Sequence, residues 1–288
     1  MVWSCLVSIL PGMAQTEKLT DYVNPFVGTD GYGNVYPGAQ IPFGGIQISP
    51  DTDSRFYDAA SGYKYNHLTL MGFSLTHLSG TGIPDLGDFL FIPGTGEMKL
   101  EPGTHEDPDQ GYRSRYSHDK EWASPNYYAV ELADYGVKAE MTSGVRSGMF
   151  RFTYPESDNA FIMIDMNHTL WQSCEWSNLR MINDSTITGY KLVKGWGPER
   201  HVYFTATFSK KLTGLRFVQD KKPVIYNTSR FRSSYEAWGK NLMACISFDT
   251  KAGEEVTVKT AISAVSTDGA RNNMKELDGL TFNELRAK

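Results

Sequence analysis

The sequence predicts an all-β protein, built mainly as one large antiparallel β-sandwich. Three observations indicate this fold class. Apolar and polar residues alternate in short segments, turn residues recur roughly every 8 to 15 positions, and the chain shows neither βαβ alternation nor a long internal repeat. The 288 residues allow one large all-β domain or two ordinary ones, and a substantial core.

Composition excludes several classes of function. Hydrophobic residues make up 40% of the chain and charged residues 21%, which is typical of a globular protein. The net charge is -5 and no basic stripe occurs, so nucleic acid is not an expected partner. No run of 18 apolar residues is present, so no membrane span is expected. Aromatic residues reach 13%, which suits stacking on sugar rings but is also common in sandwich cores.

The first element, residues 1–15, resembles the back half of a secretory signal, and export is therefore expected. An apolar run leads into small residues before position 15, although the positively charged start of a signal is missing. A short buried strand is the alternative. Cys5 lies in this segment, in a context weakly similar to a lipoprotein cleavage site. Cys174 and Cys245 could pair in an oxidising compartment, but their spacing does not show it.

Two glycine-rich stretches follow, at residues 28–53 and 57–93. In the first, glycines and prolines exclude a helix and leave only short strands, of which residues 46–48 are the best candidate. The second mixes Gly, Ser, Thr, Asp, His and Tyr, a composition suited to holding a hydroxylated ligand. Plain surface turns are the alternative interpretation of this composition.

Regular strand patterns occur through the rest of the sandwich, which we place at residues 16–265. A hairpin turn is expected at residues 134–136 and a further turn at 94–96. The predicted strands are 71–77, 88–92, 127–132, 137–141, 149–154, 160–166, 185–192, 201–209, 242–248 and 256–264.

The end of the chain, residues 266–288, has a different character and predicts the start of a helical linker. Residues 269–277 indicate a short helix, which Asp278 and Gly279 interrupt. Thr281 and Glu284 then fit a capping box, the start of a second helix. Such a short helix needs to dock on the rest of the protein to be stable.

Four groups of residues are candidates for chemistry. Asp85 and Asp88, together with Asp30, Asp53 and Asp58, could supply an acid and base pair or bind calcium, but aspartates at turns more often cap their own backbone. His77 could hold a sugar hydroxyl or be a hydrogen-bonded structural histidine. No G-x-S-x-G elbow supports a serine nucleophile. Four tryptophans could be stacking platforms, although core positions are the favoured interpretation: Trp171, Trp176, Trp196 and Trp238.

Several motifs together resemble glycoside hydrolase family 92, a family of exo-acting α-mannosidases. They are VNPFVGTDGYGNVYPGAQIPFGGIQISPDT, YDAASGYKY, GFSLTHLSGTG, SPNYYAVELADYGVKAEMTSGVRSGMFRF and ISAVSTDGARNNM. The resemblance runs from about residue 21 to residue 288 and corresponds to the N-terminal domain of that family. Tyr57 stands where the family often has Trp, and Tyr32 and Asn34 stand where many members have His.

The resemblance implies a galactose-mutarotase-like supersandwich joined by a helical linker to an (α/α)6 barrel. It further implies an inverting, calcium-dependent enzyme acting on α-mannoside glycans, mainly α-1,2-linked, with the catalytic acid and base and most calcium ligands on the barrel. A periplasmic, outer-surface or extracellular location in a bacterium is the corresponding expectation. The residues that match the family's sugar-facing motifs, and are expected to contact substrate, are Gly28, Thr29, Asn34, Tyr36, Tyr57, Asp58, Ser61, Gly62, Tyr63 and His77.

Two functions from different classes therefore compete. In the first, this chain completes the active-site cleft of an α-mannosidase and is inactive without the barrel. In the second, it is a stand-alone carbohydrate-binding or interface module. A third and weaker hypothesis is hydrolysis by this chain itself through Asp58 with Asp85 or Asp88.

Overall fold

Two antiparallel sheets packed face to face form the body of the protein, which confirms the predicted fold class. The structure is a computed structural model that describes residues 18–54, 57–225 and 235–288. The predicted signal segment at residues 1–15 and Cys5 lie outside the described residues. The strands are β1 (Ser49–Asp51), β2 (Thr69–Leu70), β3 (Gly72–Ser74), β4 (Leu90–Thr95), β5 (Ser114–Arg115), β6 (Glu121–Ser124), β7 (Tyr127–Leu132), β8 (Val137–Ser143), β9 (Ser147–Tyr154), β10 (Ser157–Asp165), β11 (Ser173–Asn183), β12 (Thr186–Lys194), β13 (Arg200–Phe208), β14 (Gly214–Gln219), β15 (Lys222–Pro223), β16 (Glu236–Gly239), β17 (Leu242–Thr250) and β18 (Glu254–Ser263).

Neighbouring strands in each sheet are hydrogen-bonded and antiparallel. Within the described residues, the first sheet has seven strands in the order β1-β3-β4-β10-β17-β14-β15. The second has nine, in the order β16-β11-β12-β13-β18-β9-β8-β7-β6, and β2 pairs separately with β5. The predicted hairpin turn joins β7 to β8, whose register pairs Leu132 with Val137.

The main core lies between the two sheets and is rich in phenylalanine. Phe91 of the seven-stranded sheet lies 4.9 Å from Phe150 of the nine-stranded sheet, measured between ring centroids. Phe89 and Phe204 meet at 4.5 Å in the same way. All four rings are buried, and full burial of such a side chain contributes about 2 to 3 kcal/mol. The core therefore provides a rigid platform for the connecting loops.

Strand β10 is buried on both faces, which explains its uninterrupted apolar sequence. Ile162 and Ile164 belong to the core between the sheets. Phe161 and Met163 face the other way, into a second cluster with Tyr112 on the outside of the seven-stranded sheet. A strand covered on both faces loses the apolar-polar alternation of a half-exposed strand.

The C-terminal helices pack on the outside of the nine-stranded sheet. Helix α1 spans Thr267–Met274 and α2 spans Phe282–Arg286, and the 3-10 helix Lys275–Leu277 follows α1 directly. We call residues 266–287 the helical segment. The predicted capping box between Thr281 and Glu284 is present at α2. Helices in the described part of the chain are all too short or too polar to cross a lipid bilayer.

Two predictions about elements were wrong, and some strands, among them β11, were not predicted. Residues 46–48 form only an isolated bridge from Ile48 to Ala39, and the strand begins at Ser49. The turn expected at residues 94–96 is still strand through Thr95. Strand β11 was not predicted, because several of its side chains remain exposed and its pattern of burial is irregular.

Cys174 and Cys245 are free and buried and form no disulfide.

Candidate functional site

Loops from both sheets converge at one end of the sandwich and are joined by hydrogen bonds. The Gly80 amide donates to the Asn34 carbonyl at 2.7 Å, and the Leu170 amide donates to the Leu86 carbonyl at 2.9 Å. The Trp196 amide donates to Asp85 Oδ2 at 3.2 Å. We call this region the loop end, and it comprises residues 28–38, 51–54, 57–64, 76–89, 166–172 and 195–200.

Asp51 is the first of two buried carboxylates that organise the loop end. His77 Nε2 donates to its Oδ1 at 2.7 Å, and His168 Nε2 donates to its Oδ2 at 2.8 Å. Burial acts to raise the pKa of Asp51, but His77 and His168 outweigh it and hold the pKa below the ordinary value. Asp51 is therefore ionised at neutral pH and ties together loops that are 117 residues apart.

His77 is enclosed in this cluster and does not reach solvent. Its Nδ1 lies 2.8 Å from the carbonyl oxygen of Gln47, so both ring nitrogens face acceptor oxygens. Both ring nitrogens are therefore engaged within the protein. The side chain of His77 is fully buried, so the geometry favours the structural interpretation over direct contact with a sugar.

Asp88 is the second buried carboxylate, and it has several partners. Lys191 Nζ lies 3.0 Å from its Oδ1, Arg200 donates to its Oδ2 at 2.6 Å, and the Thr76 hydroxyl donates to the same Oδ2 at 2.7 Å. Burial acts to raise the pKa of Asp88, but Lys191 and Arg200 overcome it and keep the pKa below its ordinary value. An ionised, enclosed and fully paired carboxylate is unsuited to general acid catalysis.

Lys191 connects the two clusters. Its ammonium group is completely buried and also donates to the carbonyl oxygen of His168 at 2.6 Å. Since His168 in turn binds Asp51, one polar network runs through the loop end from Asp51 to Arg200. This network fixes the loops relative to both sheets.

The remaining aspartates at this end have local partners too. Asp85 accepts from the Leu86 amide at 2.6 Å as well as from Trp196, and Asp30 accepts from the Gly31 amide at 2.7 Å. Asp53 lies 3.2 Å from His105 Nε2. The side chain of Asp58 lies outside the part of the chain that the structure describes. Among the described side chains, these contacts are those of capping and support, and no pair is arranged for acid and base chemistry on a sugar.

Most residues expected to contact substrate lie beneath the surface of the loop end. Tyr63 donates to Glu121 Oε1 at 2.9 Å, and Thr29 donates to the Phe26 carbonyl at 2.8 Å. Gly28 has φ +86° and Asn34 has φ +50°, so both shape tight turns. Tyr57 is the exception, with 58% of its surface exposed. The buried members of the set are Thr29, Asn34, Tyr36, Ser61, Gly62, Tyr63 and His77.

Gly62 is needed where it stands because it adjoins Asp51. Its φ is +86°, and a Cβ at this position would lie 2.0 Å from Asp51 Oδ1. Any larger residue would strain the backbone and displace the carboxylate that both histidines bind. The glycine of the SGY motif therefore supports the site by leaving room for the Asp51 carboxylate.

The favoured interpretation of the four tryptophans as core residues was wrong. All four are substantially exposed, and Trp171 has 61% of its surface accessible. Trp171 meets Tyr57 edge to face, with 6.2 Å between ring centroids. The two rings lie together at the surface of the loop end. The polar neighbours of Trp171 in the sequence, Gln172 and Ser173, do not distinguish an exposed indole from a buried one at the end of a strand.

The described residues do not fit a calcium site. Calcium requires six to eight oxygen ligands around one point. Within residues 18–54, 57–225 and 235–288, no group of three or more His, Cys, Asp or Glu side chains converges in a way that could hold a metal ion. The oxygens of Asp51 and Asp88 are occupied by histidine, lysine and arginine.

Comparison with solved structures defines the class of protein first. The chain is similar to a family 92 glycosyl hydrolase with a TM-score of 0.78 and 25% identity, covering 93% of this chain and 36% of the other. It shares the fold of a family 92 inverting mannosidase from Bacteroides thetaiotaomicron, with a TM-score of 0.76 and 23% identity. That match covers 94% of this chain and 35% of the mannosidase. These matches show that the chain shares its fold with about a third of each of these family 92 structures.

The particular family follows from the sequence. The profile of the glycosyl hydrolase family 92 N-terminal domain matches residues 22–263, and the chain belongs to this family. An uncharacterized secreted glycosidase from Arthroderma benhamiae is 30% identical over 139 residues, which are 48% of this chain and 17% of that protein. The chain thus spans about a third of the solved relatives and less of the curated one.

Proposed function

We propose that this chain is the sugar-facing N-terminal domain of an exported, exo-acting, inverting and calcium-dependent α-mannosidase that prefers α-1,2 linkages. The catalytic acid and base and the calcium ligands would lie on a C-terminal (α/α)6 barrel. The observation that carries the proposal is the state of the carboxylates in the loop end. Those whose side chains are described are occupied by supporting contacts, while aromatic rings are left at the surface.

The surface near the loop end also supports the presence of a partner domain in the proposed enzyme. Phe43 is fully exposed in a turn with φ +60°, and Tyr32, Val27 and Val265 are largely exposed as well. Exposed apolar side chains of this kind are typical of surfaces that another domain covers. The Gly45 amide donates to the Val145 carbonyl at 2.6 Å, so the turn bearing Phe43 is fixed against the nine-stranded sheet.

In the proposed enzyme, this domain binds and orients the sugar and excludes water from part of the cleft. Tyr57 presents an exposed ring for an apolar sugar face, while Gly28, Gly62 and the buried residues beneath hold the loops in place. Calcium, when bound by the barrel, would supply a cationic centre for the substrate's oxygens. Domain boundaries at residues 16–265 and 266–288 are part of this proposal.

The decisive experiment measures mannose release from α-1,2-mannobiose. This chain alone should release none, with calcium or with a chelator, whereas the chain continued into a barrel should release mannose only with calcium. Calcium-dependent release by this chain alone would overturn the proposed division of labour. Replacement of Asp58, Asp85 and Asp88 by Asn, one at a time, would then test the weaker hypothesis of hydrolysis by this domain.

A stand-alone carbohydrate-binding module is the second candidate function. It is favoured by one observation: Tyr57 and Trp171 already lie together at the surface without any residue of a barrel. Saturable mannoside binding by a natural protein that has no barrel would support it. Mannose release by the natural full-length protein would exclude it.

A further inference from the structure

Trp171 is held in a backbone conformation that a bulky residue rarely adopts. Its φ is +76°, in the left-handed region, yet its side chain stays 61% exposed and gains little from burial. The surrounding loop imposes this conformation. The Thr169 hydroxyl donates to the Gln172 carbonyl at 2.8 Å, and Gln172 Nε2 donates to the Pro84 carbonyl at 3.1 Å. Backbone strain that neighbours enforce in this way is most often found at binding sites.

A cleft of about 900 Å³ opens beside Trp171 and runs over the outer side of the seven-stranded sheet. This volume is within the range of small-molecule sites in proteins. The cleft begins at Ser54 and Trp171 and extends past Asn167 to Asn241. The cleft therefore begins beside the exposed pair Tyr57 and Trp171 and extends away from the loop end.

Each charged group that lines the cleft has at least one polar partner. Lys221 lies 2.5 Å from Glu101, and Lys240 lies 3.3 Å from Glu175 at the rim. Asp220 accepts from Asn241 at 2.8 Å. Asp165 accepts from the Tyr112 hydroxyl at 3.2 Å and from the Asn167 amide at 2.8 Å. Because both lysines are paired with glutamates, the lining favours a neutral, polar ligand over a phosphate.

Groups suited to hydroxyls remain available beside the indole. Gln172 Oε1 is buried and has no hydrogen-bond partner among the residues that the structure describes. A buried acceptor without a partner costs free energy that a ligand hydroxyl would recover. The exposed Asn167 adds an amide on the same wall. An aromatic face flanked by amides matches the two kinds of surface on a sugar ring.

We propose that Trp171 and this cleft form an accessory carbohydrate-binding subsite, which holds a neutral sugar residue of the glycan beyond the one at Tyr57. The indole stacks on the apolar face of the ring, and Gln172 and Asn167 bind its hydroxyls. This inference rests on the proposed function only for the identity of the sugar as mannose. The subsite itself belongs to this chain and does not need the barrel.

The test is a nuclear magnetic resonance titration of this chain with α-1,2-mannobiose and, separately, with cellobiose. The indole N–H signal of Trp171 is assigned by its absence from the spectrum of Trp171→Phe. Saturable movement of that signal is expected with mannobiose. We expect Trp171→Ala to weaken binding by about tenfold and Trp171→Phe by less, because a smaller ring keeps part of the stacking face. The matched control is Trp122→Ala, because Trp122 is also exposed but lies on the far edge of the nine-stranded sheet. This variant should bind the sugar with the same affinity as the unchanged chain.

The outcomes separate the subsite from the proposed function. Unchanged affinity in a folded Trp171→Ala variant, or no saturable movement of the indole signal with either sugar, overturns the subsite. Saturation by cellobiose alone keeps the subsite and contradicts the mannoside assignment. If the full-length enzyme releases mannose and Trp171→Ala leaves its KM for mannotriose unchanged, the proposed function stands and the subsite is rejected. Should Trp171→Ala fail to fold, Trp171→Phe and the indole signal of the unchanged chain still decide.

Discussion

The loop end and the helical segment are attached to the same sandwich by opposite means. The loop end is held by a buried network of charges around Asp51 and Asp88. The helical segment is held by apolar packing of Leu277, Phe282 and Leu285 on the nine-stranded sheet. Charges require defined partners at defined distances, whereas apolar packing tolerates change in shape. The difference indicates that the geometry of the loop end matters more than its stability.

A similar contrast appears in how each region uses a carboxylate. Glu276 of the helical segment accepts from the Val145 amide at 2.6 Å and from the Ser147 hydroxyl at 2.6 Å, but it is partly open to solvent. Asp51 and Asp88 are completely enclosed. A carboxylate that water also reaches loses less when one partner is removed. The following predictions are arranged to test this contrast, from the largest effect to the smallest.

The largest effect is expected from Lys191→Met. Removing the ammonium group leaves Asp88 short of a buried partner, and breaking a buried ion pair of this kind costs about 3 to 5 kcal/mol of unfolding free energy. Urea unfolding measures the loss, and hydrogen exchange should show residues 76–89 opening while the helical segment stays protected. Lys210→Met, which breaks the more exposed pair with Glu254, is the control and should cost less than about 1 kcal/mol. A loss from Lys191→Met as small as that of the control would contradict the role assigned to the network.

Glycines with left-handed backbone in the two regions give the next comparison. Gly62→Ala strains the backbone and places Cβ against Asp51, so we expect a loss of about 2 to 3 kcal/mol. Gly279→Ala in the helical segment has a similar φ of +70° but no atom within 4 Å of its Cβ position. It should show only the backbone cost, about 1 kcal/mol. Equal losses in urea unfolding would show that contact with Asp51 adds nothing.

The sequence alone predicted much of the sandwich but not the arrangement of the loop end. Alternation predicted most strands of the sandwich, because Phe150, Phe152 and Tyr154 face one core. Composition marked the loop end as special but did not reveal that its histidine is enclosed. One partner of His77 is Asp51, whose carboxylate also binds His168. His168 is 91 positions from His77 in the sequence and comes near it only in the folded chain.

The exposed tryptophans were missed for a related reason. An indole at the surface of a strand or loop has the same sequence pattern as one in a core, and only the fold shows which side it faces. Trp171 follows the buried residue Leu170 directly, and its φ is +76°. Strand β11 was missed because burial along it is irregular, as expected for a strand beside the short edge strand β16.

Acid should weaken the loop end more than the helical segment. The folded-state pKa values of Asp51 and Asp88 lie below the ordinary 3.8, so their contribution to stability is complete above that pH and declines as pH falls. Between pH 4 and pH 3, the contribution of each carboxyl to the unfolding free energy of the protein should fall by about 1 kcal/mol. The pKa of Glu276 is lowered too, although burial opposes it, through bonds from Ser147 and the Val145 and Arg146 amides.

The measurement that separates the two regions is the slope of unfolding free energy against pH in variants. Asp51→Asn should reduce the slope below pH 4 by an amount that corresponds to at most one bound proton, because the variant has no carboxylate at this position to titrate. Glu276→Gln should flatten it less, because solvent screens that partly open group. A larger change of slope in Glu276→Gln than in Asp51→Asn would reverse the comparison.

The smallest effect is expected at the capping box of α2. The Thr281 hydroxyl accepts from the Glu284 amide at 3.3 Å, and Glu284 Oε2 accepts from the Thr281 amide at 2.8 Å. Thr281→Ala removes one half of this pair and should cost about 1 kcal/mol. Hydrogen exchange should rise at residues 282–287 while exchange in the loop end is unchanged. The reason is that the hydrogen bonds of the Thr281 side chain are made within α2 and do not reach the loop end. Thr281→Ser keeps a capping hydroxyl and should restore most of the protection. Equal exchange in the Ala and Ser variants would mean that packing of Phe282 and Leu285 alone holds the helix, and would make the contrast between the two regions sharper than the structure indicates.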